Sequence, residues 1–96
     1  MSRRRFLVAY DISDDKRLKA VYKAMNGFGD RIQYSVFICE LNERERVQME
    51  AKLRPMLHAK EDQVIVMDLG SVDRDMEEFI ATLGRDFALP TRVNVV

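Results

Sequence analysis

The chain is short of the residues that usually announce compartment or cofactor. It has one cysteine, Cys39, set in an apolar alternating run, so no intrachain disulfide can form. That fits a reducing compartment and a small core residue better than a secreted scaffold. Its single histidine, His58 in "MLHAKED", has no partner ligands at metal-binding spacing and reads as a surface residue. Long apolar runs are absent, which excludes a membrane span, and "MSRRRF" passes from charge straight into a strand, without a secretory core. A soluble, cytoplasmic protein with no membrane partner is expected. Glycine is sparse, and "GFGDR" lacks phosphate-loop spacing. No linker, repeat or low-complexity segment interrupts the chain, so residues 1–96 form one domain.

Net charge is also lacking: 16 basic residues balance 16 acidic ones, which argues against a non-specific polycation. The balance is uneven, however. From Met1 to Ser35 there are eight basic residues against four acidic ones, and the remainder carries the opposite excess. A neutral chain arranged this way can still present a basic face.

What is present is strong periodicity. "RRFLVAYDI" alternates Phe6, Val8 and Tyr10 against Leu7, Ala9 and Asp11, as a strand does. Ser13 is placed to cap a helix whose first turn holds Asp14 and Asp15, where carboxylates suit the dipole. Leu18, Val21, Tyr22 and Met25 give that helix an apolar stripe, and the glycines of "NGFG" close it. "RIQYSVFICEL" reads as one long extended segment with no turn signal. Asn42 and Glu45 form a capping box for a second helix striped by Met49, Leu53 and Met56, which Pro55 should kink or end. "QVIVMDL" is a third extended run. Met76, Phe79, Ile80 and Leu83 mark a third helix closed by Gly84, and "TRVNVV" a last strand. This order predicts an α+β layer arrangement with helices covering one sheet.

"LVAYDISDDKR", "RIQYSVFICEL" and the closing "VNVV" together resemble the Cas-two family of small CRISPR-associated adaptation proteins. The resemblance is densest at Tyr10-Asp11 and over Arg31 to Phe37. It implies a ferredoxin-like βαββαβ sandwich, here with an extra C-terminal helix and strand. The homodimer would pack through its sheets, and the tail strand of residues 83–96 would pair with the partner subunit. It also implies a hairpin turn near Gln33-Tyr34-Ser35, although the usual Asn-Gly signal is missing. In function it implies a metal-dependent endonuclease, acting on single-stranded RNA or on DNA, that works beside a CRISPR integrase in spacer acquisition.

The residues that would carry this chemistry also have plainer readings. Asp11 at the end of a strand can hold a turn through its side chain. The resemblance instead makes it the magnesium ligand, adequate when two copies face each other across a dimer twofold. Tyr10 points to the opposite side of its strand and packs in a core by default; in the family it accompanies the aspartate as a catalytic residue. Arg31 can clamp a phosphate or pair with Asp30 or Glu40. Phe37 is a core residue or a base-stacking platform. Lys16, Arg17 and Lys19 lie away from the apolar stripe of the first helix, where with Arg31 they form a nucleic-acid-binding set. Two further readings stand beside the nuclease: a non-catalytic DNA scaffold bridging integrase dimers, and a toxin-type ferredoxin-like ribonuclease unrelated to CRISPR.

Overall fold

The computed structural model describes residues 2–85. Strand β1, Arg4–Asp11, leads to helix α1, Asp15–Met25. Strands β2, Asp30–Gln33, and β3, Val36–Leu41, form a hairpin. Helix α2, Glu43–Leu53, and a 3-10 turn at Arg54–Met56 precede strand β4, Gln63–Ser71. The sheet order is β2-β3-β1-β4, with every neighbouring pair antiparallel. This is the ferredoxin-like arrangement that the family resemblance implies, with both helices on one side of the sheet.

Alternation along β1 decides which side. Phe6, Val8 and Tyr10 are buried with Phe37, Cys39 and Leu41 of β3, under Val21, Ala24 and Met25 of α1 and Met49 and Leu53 of α2. The opposite face carries Leu7 and Ala9, aligned with Ile38 and Val36 on one side and with Met67 and Ile65 on the other. Cross-strand partners share a face. Neither α1 nor α2 packs on this one; Ile38 is nonetheless buried there, whereas Ile65 and Met67 are about half exposed. At its Arg5 end the face is tied down: the Arg5 guanidinium is buried, donating to the Arg74 carbonyl at 2.8 Å and to Glu40 at 3.3 Å. At its Asp11 end it is open.

Several local expectations hold, for the reasons given. The Asn42–Glu45 capping box is complete, and Pro55 ends α2 by falling in the 3-10 turn. Tyr34-Ser35 makes the hairpin turn with no residue at positive φ. A bulge around Ile32 takes up the twist that a primed turn would otherwise supply.

Other expectations need correction. The cap of α1 is Asp14, whose carboxylate accepts from the Arg17 amide at 3.0 Å; Ser13 instead donates its amide to Asp62. Helix α1 ends on Asn26 in right-handed geometry, not on a left-handed glycine. Gly29 is needed for another reason: a side chain there would run into the Ile38 carbonyl and Cys39. The third helix is only a 3-10 turn at Met76–Glu78, and Leu83 is fully exposed. With Met76, Phe79 and Ile80 only half-buried, the stripe does not offset the cost of nucleating a longer helix. The "TRVNVV" strand, and with it most of the tail at 83–96, lies outside the described residues. No helix among the described residues is long and apolar enough to cross a membrane.

Candidate functional site

Asp11 closes β1 on the open face, opposite Gln63 of β4. It is exposed, and its carboxylate has no ion pair or hydrogen bond among the described residues. Both oxygens are therefore uncommitted, which suits a hard cation that takes few protein ligands and keeps its waters. Among the described residues no cluster of three or more potential ligands surrounds it. Asp11 is thus the uncommitted carboxylate that β1 brings to this end of the face. Asp14 is committed to its cap, and Asp15 lies exposed in the first helical turn.

The basic residues of α1 separate into two kinds. Lys16 and Lys19 are exposed. Arg17 is not available in the way helical spacing suggests: Nε meets Asp62 Oδ2 at 2.7 Å, and Nη2 reaches Glu61 and Asp62 Oδ1, each at 3.2 Å. The Asp62 side chain is fully buried and also accepts from the amides of Ser13 and His58, at 3.3 and 2.8 Å. The hydrogen bond from Arg17 leads the causes that lower its pKa from 3.8 to about 2, with the two amides adding to it. This clamp fixes the loop after Asp11 to the loop before β4. His58 is exposed, as expected, and its ring Nδ1 accepts from the Lys60 and Glu61 amides. Nothing in "HAKED" distinguishes Asp62 from a solvated acid, so the sequence alone does not reveal it.

Arg31 projects from the exposed edge strand β2 on the same side as Phe37, its register partner. Its guanidinium lies 5.1 Å from the ring centre of Tyr22 and 5.4 Å from that of Tyr34. Side-chain hydrogen bonds from Asn26 and Arg31 to the Tyr22 phenol lower its pKa. Glu40, a possible partner of Arg31 on sequence grounds, is bound by Arg5. Phe37 is fully buried, in ring contact with Tyr10 at 6.2 Å and Tyr22 at 6.1 Å. It therefore supports this region from below and lines nothing. Tyr10 is buried, which raises its pKa, and its hydroxyl has no hydrogen-bond partner among the described residues. Tyr10, Tyr22, Tyr34, Arg31, Lys19 and Asp15 line a cavity of about 290 Å³. Tyr22 and Tyr34 do not stand out as site residues in the sequence. The only cue to Tyr34 is an aromatic side chain at a hairpin turn.

The structure therefore brings Tyr10, Arg31 and Lys19 together on the helix side and leaves Asp11 on the other, at the same end of β1. Residues 4–76 match the family described as CRISPR associated protein Cas2. The CRISPR-associated endoribonuclease Cas2 2 of Thermodesulfovibrio yellowstonii is 39% identical over 90 residues, covering 94% of this chain and 93% of its own. The CRISPR-associated endoribonuclease Cas2 1 of Rhodospirillum rubrum is 38% identical over 82 residues, covering 85% and 79%. The crystal structure of Streptococcus pyogenes Cas2 superposes with a TM-score of 0.72 at 30% identity, covering 83% of this chain and 99% of that one. With sequence and backbone agreeing over most of the domain, the chain belongs to the Cas2 family of CRISPR-associated proteins.

Proposed function

We propose that the protein is a homodimeric, magnesium-dependent endonuclease of CRISPR adaptation that works beside the integrase in spacer acquisition. The supporting observation is that Asp11 shares its sheet face with the half-exposed Ile65 and Met67. The half-exposed apolar patch on this face invites a second copy. Packing two such faces about a twofold would bring two uncommitted carboxylates toward one another, supplying a second ligand. A bound magnesium would polarise the scissile phosphate and acidify a water. Asp11 holds the ion's place, while Lys16 and Lys19 of α1 draw the phosphate backbone to this end of the molecule. The names of the relatives, endoribonucleases, favour a phosphodiester substrate.

Asp11→Ala tests the reading. Cleavage of single-stranded RNA or DNA in magnesium should fall by about a thousandfold or more, given the several kcal/mol a metal contributes. The dimer should persist by light scattering, and chelator should reproduce the loss in the wild type. Cleavage retained in a rigorously purified Asp11→Ala protein would place the chemistry elsewhere. A second reading, a duplex-binding scaffold with Asp11 idle, draws on the exposure of Lys16 and Lys19. It requires spacer integration to survive Asp11→Ala.

A further inference from the structure

The cavity between α1 and the β2–β3 hairpin has a composition of its own. Its walls include the rings of Tyr10, Tyr22 and Tyr34, and its charges are Lys19, Arg31 and one carboxylate, Asp15. Flat aromatic walls with cations beside them suit a planar ring attached to a phosphate. At about 290 Å³ the cavity stands at the small end of ligand sites, room for one base and its sugar but not for a base pair within a duplex.

Two further features set it apart from ordinary surface relief. Tyr34 is 70% exposed at the hairpin turn although it is a large aromatic, and the Arg31 guanidinium lies against both its ring and that of Tyr22. The Tyr10 hydroxyl in the cavity wall is buried without a partner among the described residues, a cost that these residues leave uncompensated. The position matters as well. The Tyr10 amide donates to the Ser35 carbonyl at 3.1 Å, so the hairpin turn is fastened to the strand position directly before Asp11.

We propose that this cavity is a nucleotide subsite, which takes one unstacked base of a single strand against Tyr34 and Tyr22 with its phosphate toward Lys19 and Arg31. The inference rests on the phosphodiesterase reading for why a strand comes to this end of the molecule. It adds a preference for single strands over duplexes, because only an unpaired nucleotide can leave its stack and enter. RNA and DNA share the chemistry, since every base offers a ring face.

The test is binding by the full-length protein in chelator, so that no cleavage intervenes. Fluorescence anisotropy would follow a labelled eight-nucleotide single strand, in an RNA arm and a DNA arm, and a duplex of the same sequence. Tyr34→Ala should weaken single-strand binding by about five- to a hundred-fold, the range for one base–aromatic stack, and leave duplex binding unchanged. Tyr34→Phe should restore it. A strand made wholly of abasic units should bind wild type and Tyr34→Ala alike. Single-strand affinity in Tyr34→Ala within twofold of wild type would overturn the subsite, and so would an equal loss on duplex. Selective loss of single-strand binding together with Asp11-independent cleavage would keep the subsite and place the cleavage chemistry away from Asp11. Asp11-dependent cleavage with unchanged binding in Tyr34→Ala would do the reverse.

Discussion

The two faces of one sheet have been given opposite tasks. The helix face is packed at its centre: Phe37, Val8 and Cys39 are fully buried, and the tyrosines beside them contact the Phe37 ring and Arg31. The other face is apolar but unfinished, with Ile65 and Met67 about half exposed and Asp11 open at its end. Parity along β1 separates them, since Tyr10 belongs to the first face and Asp11 to the second. Adjacent residues thus lie one in the core and one on an open face, and a one-residue slip of register would exchange their places.

Substitutions on each face should sharpen that division. Phe37→Ala removes a fully buried ring from beneath Tyr10 and Tyr22, and should destabilise the fold by about 3–5 kcal/mol. Chemical denaturation with fixed slope would read it. Ile65→Asp combined with Met67→Asp should leave the monomer's secondary structure intact and abolish dimerisation. Two unpaired carboxylates in a desolvated interface are costly. Circular dichroism and light scattering together decide the matter. If the double variant unfolds, or remains dimeric, the open face is not the interface proposed above.

A smaller effect concerns the tie between loops. Asp62 has a folded pKa of about 2, below its ordinary 3.8, with the Arg17 hydrogen bond as the leading cause. A depressed carboxylate pKa means that the folded state binds the proton more weakly than the unfolded state. The stabilisation is therefore complete above the unfolded value and is lost as pH falls from about 3.8 toward 2. Asp62→Asn should lower the melting temperature by several degrees at neutral pH. The gap to wild type should close across that acid window. A gap that stays constant down to pH 2 would show that the Arg17–Asp62 pair carries no ionic stabilisation.

This pair also marks where the sequence stops being legible. Strand β1, the capping box at Asn42 and the break at Pro55 depend on neighbours within a few residues, and periodicity reveals them. The turn at Tyr34-Ser35 has no local signal, because a bulge around Ile32 replaces glycine chemistry; only the family resemblance located it. Arg17 and Asp62 are 45 positions apart, and each is locally indistinguishable from a solvated charge. The same holds for Tyr22, Arg31 and Tyr34, whose contacts exist only once α1 lies beside the hairpin. The third helix is missed for the complementary reason: its stripe is local, but the described fold only half-buries Met76, Phe79 and Ile80 and leaves Leu83 exposed. Membership of the Cas2 family sets aside the toxin-type ribonuclease unrelated to CRISPR. It leaves nuclease and scaffold to be separated by experiment.

The smallest predicted effect addresses that separation and turns on the contrast within α1. Lys16, Arg17 and Lys19 have the same helical geometry, yet only the two lysines are exposed and uncommitted, because Arg17 spends its charge on Asp62 and Glu61. A triple alanine variant would therefore mix two effects, lost phosphate contacts and a broken clamp. Lys16→Ala with Lys19→Ala isolates the first. Each phosphate neutralised steepens the log–log salt dependence of duplex binding by about 0.9. If both lysines contact phosphate, the slope should fall by about 1.8 per subunit engaged. The loss should be indifferent to sequence, and the melting temperature should not move. Arg17→Ala alone should do the opposite, lowering the melting temperature while leaving the salt slope close to wild type. Should the double lysine variant keep the full slope while Arg17→Ala reduces it, the clamp must open on DNA, and Arg17 would be the phosphate ligand after all.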